Sequence, residues 1–131
     1  MSKNKVFVAI HGNWGTHNRV STVDEFAEAV VRESIVRQLT RLRCKFVAFG
    51  AADDHVHVLF WLHPMISLTR AFRAMKSASA IELVRENDLP FRWQHGFAAF
   101  SVSRPAIDTA ANYVLNQRLI HAQRRTIDRY E

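Results

Sequence analysis

The residues best suited to chemistry are two histidines one position apart, His55 and His57, within the segment Asp54-His55-Val56-His57-Val58-Leu59-Phe60-Trp61. The apolar residues around them predict a buried β-strand. Successive side chains of a strand point to opposite faces, so both imidazoles share one face, roughly 6 to 7 Å apart. They are close enough to bind one metal ion or one phosphate group. By itself, the triplet also fits two surface histidines on a half-exposed sheet.

A second set of polar side chains lies near the end of the chain, in Asn112-Tyr113-Val114-Leu115-Asn116-Gln117-Arg118 and at His121. A spacing of four residues places Tyr113, Gln117 and His121 in a row along one face of a predicted helix. An adjoining apolar stripe would dock this helix: Ile107, Ala110, Ala111 and Val114. By itself, a row of one phenol, one amide and one imidazole also fits a polar helix face with one amphipathic aromatic residue. Tyr130 has no glutamine four residues later.

The elements that must position these groups follow from hydrophobic patterning. Strands are predicted over residues 6–10, 44–49, 54–61 and 97–102. Helices are predicted over residues 22–41, after Ser67, and after Ser103 and Pro105. Gly12 and Gly15 indicate a loop from His11 to Arg19. The order β-α-β-β-α-β plus a helix predicts a ferredoxin-like α+β fold, whose antiparallel sheet carries two helices on one face and leaves the other for function.

Composition narrows the class of protein. A chain of 131 residues that is 48% hydrophobic predicts a single domain over residues 1–131. The 18 basic residues against 12 acidic ones, with a formal charge of +6, favour a nucleic-acid partner. A lone Cys44 excludes an internal disulfide and a cysteine-rich zinc site. Neither a signal peptide nor a membrane-spanning run is visible, so we expect a cytoplasmic protein without membrane contact.

Three segments in this order carry a family resemblance: Asp54-His55-Val56-His57, then residues 93–103, then Tyr113-Val114-Leu115-Asn116-Gln117 with His121. Together they resemble the HUH-superfamily transposases with a single catalytic tyrosine, the insertion-sequence and REP-associated tyrosine transposase group. The resemblance covers almost the whole chain. Residues 11–19 are also similar to the first strand and loop of the family, although His17 stands where many members carry lysine.

The resemblance implies a metal-dependent DNA transposase that cleaves and rejoins single-stranded DNA with hairpin ends. Tyr113 would be the nucleophile that forms a 5′-phosphotyrosine bond, and His55, His57 and Gln117 would bind the metal. Relatives work as dimers, often with the tyrosine helix of one subunit completing the site of the other. With no thiolate and a hard amide donor, Mg²⁺ or Mn²⁺ is favoured over zinc.

The residue chemistry agrees with this interpretation. A free tyrosine has a pKa of about 10, so a nearby cation must favour its phenolate or polarise the phosphate. Because phosphotyrosine keeps the energy of the broken bond, rejoining would need no ATP. Predicted DNA contacts are the basic and polar side chains near the predicted site and along the second helix: His11, Arg19, Arg70, Arg73, Lys76, Arg118, His121, Arg124 and Arg125.

Three alternatives stay open from the residues. A non-catalytic RNA- or single-stranded-DNA-binding module has the same element order, and residues 96–100 loosely resemble a base-stacking aromatic motif. It leaves His55, His57 and Tyr113 unexplained. A mononuclear iron oxygenase would need Asp54 as a third iron ligand. Neighbouring residues of a strand point to opposite faces, so Asp54 and His55 are badly placed to share one metal. A domesticated relative would still nick or bind DNA without moving an element. Trp14 and Trp93 fit either core packing or base stacking.

Overall fold

The computed structural model describes residues 5–127, with side chains to Gln123. Tyr130 lies outside this range. Four strands are present in the described residues: β1 Ala9–Gly15, β2 Lys45–Ala52, β3 His55–Trp61 and β4 Ala98–Val102. The α-helices within the same range are α1 Glu25–Arg41, α2 Leu68–Ile81, α3 Ile107–Leu115 and α4 Gln117–Ile127. None of these described helices has the length and apolar character needed to cross a membrane.

The four strands form one antiparallel sheet in the order β2-β3-β1-β4. Helices α1 and α2 cover one face, where Val56, Val58 and Phe60 of β3 pack into the main core with Phe72 of α2. This arrangement confirms the predicted ferredoxin-like α+β fold. It also confirms the parity of β3, because His55 and Leu59 lie on the opposite face from those core residues.

Both helices of the main core begin at side-chain caps. The Asp24 carboxylate accepts a hydrogen bond from the backbone N–H of Ala27 at 2.8 Å. The Ser67 hydroxyl accepts one from the backbone N–H of Arg70 at 3.1 Å. Such caps satisfy N–H groups that have no partner inside the first turn of a helix. Helix α1 therefore begins at Glu25, a few residues later than predicted, whereas the predicted cap at Ser67 is confirmed.

The prediction of a loop at Gly12 and Gly15 is wrong, because β1 continues through both glycines. Gly12 pairs with Val58, and Gly15 pairs with His55. A Cβ atom at Gly12 would lie only 2.2 Å from the ring of Phe72, so the glycine lets α2 approach the sheet closely. His11 therefore belongs to the sheet, on the face opposite the main core.

Helices α3 and α4 lie on that second face. Val114 of α3 packs against Ala48 and Leu59. The predicted continuous final helix is wrong: α3 ends at Leu115, and Asn116 has φ −100° and ψ 23° before α4 begins at Gln117. The Asn116 amide donates to the carbonyl oxygen of Asn112 at 2.7 Å, which stabilises the end of α3. Tyr113 and Gln117 therefore lie on different helices.

Candidate functional site

Four histidines meet on the second face of the sheet. His11 comes from β1, His55 and His57 come from β3, and His121 comes from α4. His11 Nε2 lies 2.8 Å from His57 Nδ1, and His55 Nε2 lies 2.9 Å from His121 Nε2. The strand register explains the first contact, because Asn13 pairs with His57 and places His11 diagonally across from it. The result is an imidazole cluster in which His55, His57 and His121 are buried and His11 is half-buried.

Three of these histidines could hold one metal ion. One ring nitrogen from each of His55, His57 and His121 lies within 4.8 Å of the other two, and all three residues are buried. Two ligands bound to one ion at about 2.1 Å stand roughly 3 Å apart when they are neighbours in its coordination shell. The observed separation of 2.9 Å between His55 and His121 fits that requirement. The donor set therefore fits a divalent ion.

Gln117, the first residue of α4, contacts the imidazole cluster. Its side chain is fully buried, and its Oε1 atom lies 2.9 Å from His121 Nε2. Its amide Nε2 donates to the carbonyl oxygen of Tyr113 at 2.9 Å, across the break between α3 and α4. Gln117 thus connects the imidazole cluster to the helix that carries the tyrosine.

The surroundings keep two imidazoles neutral. Burial lowers the pKa of His57 to about 2, and the charges that His55, His11 and His121 would carry act in the same direction. Burial also lowers the pKa of His11. A neutral imidazole keeps a lone pair, which a metal ion or a hydrogen-bond donor requires. His57 is consequently able to accept a cation over the whole physiological pH range.

Asp54 orients His55. Its Oδ1 atom accepts a hydrogen bond from His55 Nδ1 at 2.7 Å, and Arg19 donates to both carboxylate oxygens at 3.2 Å. Burial raises the pKa of Asp54, but the hydrogen bonds from Arg19 and His55 outweigh it and hold this pKa below its ordinary value. The charged carboxylate favours the tautomer of neutral His55 that carries its proton on Nδ1, and in this tautomer Nε2 presents its lone pair to the cluster. The sequence alone suggests for Asp54 only the role of an iron ligand, whereas the structure places it behind His55.

Tyr113 stands beside the cluster on α3 and is half-buried. Its ring centroid lies 5.7 Å from that of His57 and 5.9 Å from that of His11. The structure thus brings together, within one chain, the tyrosine, the glutamine and the two histidines that the sequence singled out. It adds His11 and His121, for which the sequence predicts contacts to DNA.

Arg118, another predicted DNA contact, holds α4 against the rest of the protein. Its guanidinium donates to Asp53 at 2.7 Å, to Glu28 at 3.0 Å and to the carbonyl oxygen of Val23 at 2.7 Å. Arg19 is similarly engaged by Asp54. For both arginines a phosphate contact stays a prediction, and the observed contacts are within the protein.

The predicted DNA contacts on α2, which are Arg70, Arg73 and Lys76, are separated from the imidazole cluster by the sheet. Arg70 and Arg73 are exposed on this helix, which covers the opposite face. Lys76 donates to the carbonyl oxygens of Gln94 at 2.8 Å and Gly96 at 2.7 Å. The side chains of Arg124 and Arg125 lie outside the described part of the chain. Trp14 and Trp93 belong to the main core.

Replacing Arg118 with alanine is expected to destabilise the protein by about 1 to 3 kcal/mol, because charged hydrogen bonds to three partners are lost. Urea unfolding followed by circular dichroism measures this change. Arg73→Ala is the control, and its exposed side chain should change the free energy of unfolding by less than about 0.5 kcal/mol. Equal stability of the two variants would contradict the structural role of Arg118.

Comparisons with known proteins point to one family. A family described as "Transposase IS200 like" matches residues 5–117. A candidate transposase from Deinococcus radiodurans R1 is similar in structure, with 21% identity, a TM-score of 0.67, and coverage of 90% of this chain and 98% of that chain. A REP-associated tyrosine transposase solved bound to a REP hairpin has 15% identity and a TM-score of 0.68, over 92% of this chain and 74% of that chain. None of the curated proteins matches.

Proposed function

The chain belongs to the IS200-like transposase family, and from this premise we propose that it cleaves and rejoins single-stranded DNA through a covalent bond to Tyr113. The observation that carries the proposal is the position of Tyr113 beside the buried imidazole cluster, 5.7 Å from His57 between ring centroids. The phenol of Tyr113 is a nucleophile type that forms covalent intermediates in enzymes, and the cluster offers neutral donors for a cation that would favour attack.

In the proposed step, the hydroxyl oxygen of Tyr113 attacks the phosphorus atom of a DNA phosphodiester. A phosphorus–oxygen bond to tyrosine forms while the bond to the 3′-oxygen breaks. The proton of the phenol ends on the leaving oxygen, which departs as a 3′-hydroxyl. The products are a 5′-phosphotyrosine and a free 3′ end. A second 3′-hydroxyl can attack the phosphotyrosine in the same way, which rejoins DNA and regenerates Tyr113.

We assign the positioning of a divalent ion to His55, His57 and Gln117. When bound, such an ion would act as a Lewis acid on the phosphate oxygens. Asp54 keeps His55 in the tautomer that presents Nε2, and Gln117 is held by its hydrogen bond to the Tyr113 carbonyl. On sequence grounds the ion is Mg²⁺ or Mn²⁺. The sheet and the buried cluster supply a rigid support, which positional catalysis requires.

The proposed substrate is single-stranded DNA that contains a hairpin. Support comes from the formal charge of +6 and from the REP-associated transposase, which has the same fold and was solved with a REP hairpin. We also propose a homodimer, although one chain already brings Tyr113 to its own histidines. The proposed location is the cytoplasm, where a lone Cys44 stays reduced.

The test is a denaturing-gel assay with single-stranded hairpins taken from the genomic surroundings of the gene. With Mg²⁺ or Mn²⁺, strands labelled at the 3′ end should form an adduct that resists denaturation, because the tyrosine keeps the downstream fragment. Strands labelled at the 5′ end should yield a shortened free fragment instead. A chelator should abolish both products. Tight binding without any adduct across the hairpin panel would replace the proposal with a non-catalytic DNA-binding module.

A further inference from the structure

We propose that His121 is a third imidazole ligand of the metal ion, and that the site is therefore built for a first-row transition ion such as Mn²⁺ or Co²⁺ in preference to Mg²⁺. This inference rests on the proposed function, which requires a metal at His55 and His57. It goes further, because the family resemblance assigned only those two histidines and Gln117 to the metal.

Three atoms are placed so that one cation could lie among them. His121 Nε2 lies 2.9 Å from His55 Nε2 and also 2.9 Å from Gln117 Oε1. In the neutral tautomer in which His55 Nδ1 donates to Asp54, the facing Nε2 atom of His55 is an acceptor. Gln117 Oε1 is an acceptor as well. A single N–H on His121 can satisfy only one of them fully, whereas a cation among the three atoms satisfies all of them.

The burial of these side chains also favours a shared metal ion. His55, His57 and His121 each expose only 7% of their surface, and Gln117 exposes none. Polar groups at such depth need partners, and a histidine that serves only as a surface contact would not be enclosed in this way. One nitrogen from each of the three imidazoles lies within 4.8 Å of the others. Their convergence in a buried site is what a shared ion requires.

The attachment of α4 to the rest of the protein fixes the direction of the His121 side chain. Arg118 follows Gln117 directly and ties α4 to Glu28 and Asp53. His121 follows Gln117 by one helical turn, so both side chains face the sheet from the same side of α4. The cluster is therefore preorganised by contacts on the rest of the helix.

The ligand set decides the class of ion. Mg²⁺ prefers oxygen ligands and keeps several waters, whereas imidazole nitrogens favour first-row transition ions in the order Mn²⁺ < Fe²⁺ < Co²⁺ < Ni²⁺. With two imidazoles and one amide as ligands, Mg²⁺ can compete with Mn²⁺ for the site. The sequence therefore predicts either ion. A third imidazole shifts the balance toward nitrogen and so toward the transition ions.

The test measures metal binding directly by the full-length protein and needs no DNA. Calorimetric titration should show wild-type protein binding Mn²⁺ or Co²⁺ at least about tenfold more tightly than Mg²⁺. Electron spin-echo spectroscopy of bound Mn²⁺ should count nitrogen couplings from three histidines. His121→Ala should remove one coupling and weaken Mn²⁺ binding by at least about tenfold. His95→Ala, which alters an exposed histidine away from the cluster, should change neither.

The outcomes separate this inference from the proposed function. Two histidine couplings in the wild type, with unchanged Mn²⁺ affinity in His121→Ala, would overturn the role of His121 and leave a metal at His55 and His57. The spectroscopic count in the wild type answers the question even if the variant folds poorly. No binding of any divalent ion by the wild type would overturn this inference together with the metal-dependent mechanism.

Discussion

Replacing Tyr113 with phenylalanine is expected to abolish the covalent protein–DNA adduct, because the change removes only the attacking oxygen. The aromatic ring stays, and with it the contacts to His57 and His11, whose ring centroids lie 5.7 and 5.9 Å away. The fold and the metal affinity should therefore be unaffected. The loss should be complete on a denaturing gel, since no bond to DNA can form without a nucleophile.

Tyr130→Phe is the matched control, because it removes the other tyrosine hydroxyl of the chain. Its adduct should form at the wild-type rate. Circular dichroism and Mn²⁺ titration of both variants would establish that the fold and the site persist. An adduct that survives in Tyr113→Phe but disappears in Tyr130→Phe would transfer the nucleophile to Tyr130 and refute the assignment.

Gly50→Ala is expected to damage both stability and metal binding. A Cβ atom at this position would lie 1.7 Å from the carbonyl oxygen of Val114. Because the clash is with a backbone atom, no side-chain rotation can relieve it. The junction of α3 and α4 must then shift off the sheet. Overpacking of this kind costs about 1 to 3 kcal/mol, and the shift would displace Tyr113 and Gln117, which flank the contact.

Urea unfolding and Mn²⁺ titration together measure this prediction. Gly96→Ala is a useful control, because Gly96 has φ +87° and no atom within 4 Å of an added Cβ. It should lose about 1 to 2 kcal/mol through backbone strain while its Mn²⁺ affinity stays unchanged. If Gly50→Ala kept wild-type stability and Mn²⁺ affinity, the close packing of Val114 on β2 would be refuted.

The sequence predicted the sheet face of the histidines correctly because the side-chain period of a strand is two. Once β3 was recognised, His55 and His57 had to lie opposite Val56 and Val58. The extent of β1 was not predictable in the same way. Gly12 suggests a loop from its own properties, and only the ring of Phe72, 60 residues later, shows why the strand needs a glycine there.

The same limit applies to the site. Helical spacing placed Gln117 and His121 on one side of a helix, but spacing cannot show which part of the sheet that side reaches. From spacing alone, His121 is therefore a predicted DNA contact, and so is Arg118, whose partners Glu28 and Asp53 are remote in sequence. The break at Asn116 also escaped prediction, because the apolar pattern continues across it. Contacts between residues remote in sequence decided the positions of His121 and Arg118.

The separation of the site residues along the chain has a consequence for synthesis. The cluster joins His11 to residues as late as His121, and α3 docks on strands that were completed about 50 residues earlier. Ribosomes add roughly 5 to 20 residues per second, so the strands exist for seconds before the proposed nucleophile is made. A nascent chain that carries only the first three strands and both core helices lacks Tyr113 and so could not form the proposed covalent bond to DNA. The proposed cleavage activity would therefore arise only at the last stage of folding, when α3 and α4 pack against the face that carries the histidines.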